Sequence, residues 1–134
     1  MQYFLAKTDP STYSIDDLLR DHETNWDGVH NYQAIIVIKS WQVGDLVFVY
    51  HSQSDKKIMG VMKVVGAPYK DPTDRQDISW AARVQFVEKF AEDKQVSLKE
   101  IKESGLFANF LLVRNPRLST MACPPEFVAW MKQK

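Results

Sequence analysis

The ten residues Val43–Ser52, VGDLVFVYHS, predict the centre of the fold. Val43-Gly44-Asp45 reads as a turn, and Asp45–His51 then alternates two sets of large side chains, as a strand with two facing surfaces does. Two more strands are predicted downstream, at Ile58–Val65 and at Trp80–Phe90. Three consecutive strands without an intervening helix favour antiparallel hairpins, so we expect a largely antiparallel sheet that curls into a small barrel.

Capping and turn signals predict the elements that surround these three strands. They are a strand at Gln2–Lys7, helices after Ser14, Asn31 and Ser97, a short strand within Arg117–Cys123, and a helix from Pro125. The run Ala34–Ile38 is apolar all round and rich in β-branched residues, so periodicity alone does not exclude a strand there. We interpret it as a buried helix with Tyr32, Ile35, Ile36 and Lys39 on one face. The predicted class is therefore α+β, in one domain over residues 1–134.

Composition restricts the kind of protein. The chain has 134 residues, 45% of them hydrophobic, with 17 basic and 17 acidic side chains and a formal net charge of zero. Proteins that grip long duplexes through many phosphates usually carry a basic excess, so any nucleic acid is expected to be held through a local pocket. The N-terminal residues do not resemble a signal peptide, and no apolar run is long enough to span a bilayer. We expect a cytoplasmic protein without a membrane partner.

Motifs for catalysis and for metal binding are missing from the sequence. The three histidines lack the HxxxH spacing of a zinc site, and the single cysteine, Cys123, cannot build a metal cluster or an internal disulfide. No GxSxG turn presents a nucleophilic serine. Asp16 and Asp17 lie at the start of a predicted helix, where acids stabilise the helix dipole. We therefore predict no catalytic residues, no metal and no cofactor.

Aromatic and amide side chains are concentrated in the predicted turns. Trp26 precedes Asp27-Gly28, Asn31-Tyr32-Gln33 opens the apolar helix, and Tyr50-His51-Ser52 ends the central strand. An amide supplies a donor and an acceptor together, as reading a base edge requires, and a flat ring offers a stacking surface. Such a cluster suits a nucleobase removed from its stack. By composition alone a bracing role for these loops is equally supported.

The same segments, in order, resemble the EVE domain family, which includes thymocyte nuclear protein and belongs to the PUA-like superfamily. The matching segments are Lys7–Pro10, Tyr13–Leu18, Trp26–Ala34, Val43–Ser52, Gly60, Tyr69–Thr73, Trp80, Val84–Val87 and Arg117–Ser119. They cover essentially the whole chain, and the segments WDGVHNYQA and FVYHS are highly specific. The resemblance implies a PUA-like mixed, largely antiparallel five-stranded β-barrel with peripheral helices.

The resemblance also implies a pocket for a modified base, typically a cytosine altered at its 5-position, in DNA or in RNA. Carried over to matching positions, the base-binding residues are Lys7, Thr8, Trp26, Asn31, Tyr32, Gln33, Tyr50, His51, Ser52, Arg117, Leu118 and Ser119.

We assign these residues hypothetical roles by their chemistry. Trp26 and Tyr32 would pack against the base face. The edge of the base would be read by Asn31, Gln33 and Ser119, while Lys7 and Arg117 would contact a phosphate or a carbonyl. His51 would bind the base or brace the loop through Ser52.

Two departures from the family pattern bear on affinity. The family commonly has Arg and Asn after NYQA, where this chain has Ile35 and Ile36, and His30 stands where an arginine is usual. Fewer arginines weaken contacts with backbone phosphates and leave an amide–aromatic pocket intact.

Two alternative functions stay open: an RNA-binding accessory that senses modified RNA, and an enzyme that acts on a modified nucleoside with His51 as general base. A separate effector protein is a further candidate partner.

Overall fold

One mixed sheet with helices on both sides makes up the computed structural model, which describes residues 1–53 and 55–134. Its strands are β1 (Tyr3–Thr8), β2 (Glu23–Trp26), β3 (Leu46–His51), β4 (Lys57–Val64), β5 (Tyr69–Lys70), β6 (Trp80–Lys89), β7 (Val96–Ser97) and β8 (Thr120–Ala122). Its helices are α1 (Ile15–Asp21), α2 (Tyr32–Lys39), α3 (Leu98–Glu103), α4 (Leu111–Arg114) and α5 (Pro125–Lys132), with a 3-10 turn at Glu92–Lys94. The sheet runs in the order β2-β6-β4-β3-β1-β8, while β5 pairs with β6 and β7 with β4.

The predicted α+β class and largely antiparallel sheet are confirmed, but the five-stranded barrel is wrong. Within the described ranges the sheet has eight strands and stays open, with β2 at one end and β8 at the other. Helix α2 packs against both β8 and β6, so a helix covers the opening that strand pairing would have closed. The polar sequence of β2 hid this edge strand, and β5 and β7, at two residues each, are too short for periodicity to reveal.

The three central strands pair as the sequence predicts, and their close approach explains Gly60. Strands β3, β4 and β6 are successive antiparallel neighbours. A Cβ atom at Gly60 would collide with the carbonyl oxygen of Glu88 on β6, so this position requires glycine. Strand β1 pairs with β3 in parallel, which places the carboxyl ends of both strands at one edge of the sheet.

Two capping interactions fix where α1 and α2 begin. The Ser14 side chain accepts a hydrogen bond from the Asp17 backbone N–H, and the Asp17 carboxylate accepts one from the Ser14 N–H, which confirms the predicted capping box. The Asn31 side-chain oxygen accepts hydrogen bonds from the backbone N–H groups of Gln33 and Ala34, at 2.9 and 3.1 Å.

No helix within the described residues has the length and apolar character that a membrane crossing needs.

The helix predicted at Ala34–Ile38 is confirmed, but the prediction that it is buried is correct for one face only. Ile35 is buried together with Ala34 and Ile38, whereas Ile36 is 68% exposed and lies near the exposed Tyr32 and Lys39. A helix rotates about 100° per residue, so positions 34, 35 and 38 form one stripe and positions 32, 36 and 39 form another. The chain thus presents an apolar side chain, Ile36, to solvent.

Strand alternation separates two packing layers of the sheet. On one surface Phe4 packs against Trp41, with ring centroids 6.0 Å apart. On the other, Tyr3 stacks on Phe48 at 5.6 Å, and Phe48 meets Phe127 of α5 edge-on at 6.2 Å. Because successive side chains point to opposite surfaces, Thr8 falls on the Phe4 surface. Lys7 therefore falls on the surface that the C-terminal helices cover.

Candidate nucleobase-binding site

The edge where β1 and β3 end brings three predicted segments together. The parallel register aligns Lys7 with Tyr50 and Thr8 with His51. The backbone N–H of Lys7 donates to the carbonyl of Ser119 at 2.8 Å, which joins the segment preceding β8 to the same edge. The strand ends and the 117–119 segment therefore lie side by side, as the resemblance implied.

Lys7 and Tyr50 form a cation–π pair at this edge of the sheet. The Lys7 ammonium donates to the carbonyl of Pro116 at 2.9 Å and lies 5.6 Å from the centroid of the Tyr50 ring. Burial lowers the pKa of Lys7 and raises that of Tyr50. These contacts tie the 116–119 segment to β1, so both side chains have structural partners already.

The His51 side chain is hydrogen-bonded to the first residue of α1. Its Nε2 accepts the backbone N–H of Ile15 at 3.0 Å, and its Nδ1 lies 3.2 Å from the Asp55 carboxylate. An accepting Nε2 places the proton on Nδ1, which donates to Asp55. The Ser52 hydroxyl donates to the carbonyl of Thr8 at 3.2 Å. His51 therefore contacts α1 and Asp55, whereas Ser52 bonds to Thr8, so the bracing predicted through Ser52 runs through Ile15 instead.

A cavity of about 350 Å³ lies between the segment that follows β1 and the edge strand β2. Its walls are Thr8, Thr12, Tyr13, Thr24, Asn25, Trp26, Asp27 and Arg83. We call it the Thr8–Trp26 pocket, after the two predicted site residues in its wall. Ligand sites typically measure about 300–1,000 Å³, so this cavity is large enough for a small ligand or a single base.

Several polar side chains in the wall of the Thr8–Trp26 pocket are fixed by hydrogen bonds. The Thr8 hydroxyl donates to the carbonyl of Tyr13 at 2.7 Å, and the Tyr13 hydroxyl donates to Asp21 at 2.9 Å. Across the cavity, the Arg83 guanidinium donates to the side-chain oxygen of Asn25 at 3.3 Å. These bonds fix the wall and leave the Asn25 amide N–H groups as donors.

The loop after Trp26 is tied to the loop between β5 and β6. The Ser79 hydroxyl donates to the carbonyl of Val29, and Asp71 is held by the hydroxyl and N–H of Thr73. Hydrogen bonds from Thr73 lower the pKa of Asp71, with a smaller lowering from the Gly28 N–H. Burial, then repulsion from Asp71, raises the pKa of Asp27. A fixed backbone thus carries the Asp27 carboxyl to the pocket.

The first turn of α2 lies outside the Thr8–Trp26 pocket. Asn31 uses its side-chain oxygen for helix capping, Tyr32 is 71% exposed, and Gln33 is exposed. In the 117–119 segment, Leu118 is part of the core and Arg117 points to solvent. Base contacts by these residues, by Ser119 and by the other predicted site residues remain predictions.

Sequence reasoning missed most of the wall of this pocket. Tyr13 belongs to a segment that carried the resemblance, whereas Thr24 lies in a strand too short and too polar for periodicity to reveal. Asn25 and Arg83 face each other because β2 pairs with β6, which lies far along the chain. That pairing leaves no local sequence signal.

The fold and the pocket define a small α+β domain with a ligand-sized cavity at the edge of its sheet. A model of the EVE domain matches residues 2–133, and the chain belongs to the EVE domain family. This confirms the resemblance read from the sequence.

Relatives of known sequence are thymocyte nuclear proteins. Human thymocyte nuclear protein 1 is 28% identical over an alignment that covers 98% of this chain and 74% of that protein. The rat protein is 32% identical, with 75% of this chain and 55% of that protein covered. The chain spans between 37% and 74% of the length of the curated relatives that it matches.

Solved structures share this architecture closely. A Pseudomonas syringae protein superposes with a TM-score of 0.88 at 31% identity, covering 98% of this chain and 97% of that one. Human THYN1 in complex with DNA containing 5-methylcytosine superposes with a TM-score of 0.85 at 27% identity, covering 99% and 97%. A Zymomonas mobilis ASCH protein, at 10% identity and a TM-score of 0.64, shares the fold alone.

Proposed function

We propose that this domain is a non-catalytic reader of a modified base, with 5-methylcytosine in DNA as its first ligand. The base would enter the Thr8–Trp26 pocket. The observation that carries the proposal is the pocket itself, whose wall combines two aromatic residues, Trp26 and Tyr13, with amide, hydroxyl and charged groups. The complex of human THYN1 with 5-methylcytosine DNA supports the choice of base.

The chemistry of the wall supports a base more than an aliphatic ligand. Aromatic side chains provide surfaces for a flat ring, and Asn25 and Arg83 provide donors for carbonyl and ring-nitrogen acceptors. A base reaches such a cavity when it leaves the stack, at a cost of a few kcal/mol in a duplex. A base already unpaired is therefore expected to bind more tightly.

Two reactive residues are poorly placed for catalysis, which supports a binding role. Both ring nitrogens of His51 are engaged, with Ile15 and Asp55, so a general base there would first break a structural bond. Burial raises the pKa of Cys123 far above its ordinary value, which keeps the side chain a neutral thiol and a weak nucleophile.

A base-centred mode of binding agrees with the charges of the chain. The formal net charge is zero, and Arg83 is the one cation among the residues that line the pocket. The salt dependence of binding reports the number of phosphates neutralised, with a slope of about −0.9 per phosphate on duplex DNA. We expect a shallow slope, equivalent to one or two phosphates.

The test is a binding panel that changes one base at a time. Oligonucleotides with cytosine, 5-methylcytosine or adenine at one position are offered as single- and double-stranded DNA and RNA, at stated salt concentrations. Preferential binding of 5-methylcytosine by the wild type, with weaker binding by a folded Trp26→Phe variant, supports the proposal. Equal binding of every base would overturn it, and tighter binding of the RNA series would replace DNA by RNA. Mass spectrometry of the recovered oligonucleotides checks for any change of the base.

A further inference from the structure

Asp27, an exposed residue, brings to the Thr8–Trp26 pocket a carboxyl group that has no side-chain partner. It follows Trp26 directly and lines the cavity. Across residues 1–53 and 55–134, no side chain donates a hydrogen bond to it or forms an ion pair with it. The neighbouring Asp71, by contrast, accepts two hydrogen bonds from Thr73.

The surroundings of Asp27 would favour a ligand that donates a hydrogen bond. Asp27 is an exposed residue, but partial desolvation by the groups around it disfavours its charged form, and the nearby carboxylate of Asp71 adds repulsion, so its pKa is raised. A polar N–H of a ligand would satisfy the carboxylate oxygens and offset both effects. A ligand that places a hydrogen-bond donor against the Asp27 carboxylate is therefore favoured.

Other residues of the same wall present donors. The Arg83 guanidinium is held by Glu23 and by the side-chain oxygen of Asn25, each at 3.3 Å. Because the Asn25 oxygen faces the arginine, its amide nitrogen is left to donate, along with the remaining N–H groups of Arg83. A carboxylate without a side-chain partner and several donors thus line a single cavity.

This arrangement matches the edge of a cytosine and opposes that of a thymine. Cytosine presents an exocyclic amine, a donor, beside ring-nitrogen and carbonyl acceptors. Thymine carries the same methyl group as 5-methylcytosine but has a carbonyl oxygen in place of the amine. We propose that Asp27 is a specificity-determining acceptor for the exocyclic amine, so that the pocket takes 5-methylcytosine and rejects thymine.

This assignment rests on the proposed function and adds the base edge that the pocket selects. A thymine in the pocket would set its carbonyl oxygen against the Asp27 carboxylate and leave both without a donor. Rejection by roughly tenfold or more is the expected size of such a mismatch.

The experiment compares 5-methylcytosine with thymine in one duplex, with the variable base opposite an abasic site. Neither base then has a pairing partner, so the two cost nearly the same to extrude, and they share the methyl group. Dissociation constants are measured for the wild type, for Asp27→Asn and for Asp93→Asn. Asp93 is an exposed acid of the 3-10 turn, so its variant removes the same charge outside the pocket.

The expected result is a preference of roughly tenfold or more for 5-methylcytosine in the wild type and in Asp93→Asn. In Asp27→Asn the preference should fall to within about threefold, because an amide can turn to donate to the thymine carbonyl. An unchanged preference in Asp27→Asn, or none in the wild type, overturns the role of Asp27 and leaves the pocket proposal standing. A wild type that binds neither duplex overturns both. Circular dichroism of each variant checks the fold.

Discussion

The Thr8–Trp26 pocket and the first turn of α2 belong to one continuous sequence motif, yet they differ in what their polar groups are free to do. Trp26 is 7% exposed and lines the cavity, whereas Tyr32 is 71% exposed and is not among the residues of its wall. The Asn31 oxygen accepts two helix N–H groups, while Asp27 has no side-chain partner. Residues of one motif can therefore line a cavity and cap a helix separately.

The largest expected effect is that of Trp26→Ala compared with Tyr32→Ala. Removing a buried tryptophan costs about 3–5 kcal/mol of the free energy of unfolding, while truncation of an exposed tyrosine should stay within about 0.5 kcal/mol. Urea denaturation of both variants measures the difference. In the binding assay, Trp26→Phe should weaken 5-methylcytosine binding and Tyr32→Ala should not. Equal losses for Trp26→Phe and Tyr32→Ala would place the first turn of α2 in the site.

A second, smaller effect is expected from His51→Ala, which tests the bracing of α1 behind the pocket. The buried N–H of Ile15 would lose its acceptor, at a cost of about 1–3 kcal/mol of stability. His51→Gln retains an acceptor and should recover part of that loss, and His30→Ala, an exposed position, is the control. Thermal unfolding of the three variants measures their stability relative to the wild type. Full stability of His51→Ala would show that the contact with Ile15 contributes nothing.

The predictable part of this fold is the part with local causes. A few adjacent residues are enough to predict the Ser14 capping box, the Asn31 cap and the alternation of β3. The parallel pairing of β1 with β3 and the pairing of β2 with β6 join distant segments. Long-range pairing is decided by packing of the whole chain, so the short polar strand β2 was invisible to periodicity.

The same distinction applies to the candidate site. Trp26 was predicted because an aromatic residue in a turn stands out in the sequence, and Thr8 was predicted only through the resemblance to the EVE family. Arg83 lies in the middle of a long strand and joins the pocket only through the β2–β6 pairing. Asn31 was predicted to read the base, and the structure gives its oxygen a capping role that the sequence also indicated. A capping residue and a base-reading residue have the same chemistry, so sequence alone cannot separate them.

Two variants of Asn31 separate these roles by a smaller effect. Asn31→Ala removes the cap and should cost about 1 kcal/mol of stability, whereas Asn31→Asp keeps an oxygen acceptor and should cost little. If Asn31 only caps α2, both variants keep the preference for 5-methylcytosine over cytosine. Denaturation and the binding panel are run on both proteins. Loss of selectivity in Asn31→Asp at full stability would assign the amide N–H groups to the base.

The smallest expected effect comes from Ile36→Arg on the exposed face of α2. Since Ile36 is 68% exposed, the substitution should change stability by no more than about 0.5 kcal/mol, whereas Ile35→Arg would bury a charge and cost far more. A strand whose base occupies the pocket is expected to continue past the loop that leads into α2. An arginine there should gain one phosphate contact and steepen the plot of log affinity against log salt by about 0.9. An unchanged slope at full stability would mean that the strand leaves the pocket in another direction. The exposed face of α2 around Ile36 would then lie outside the whole interface.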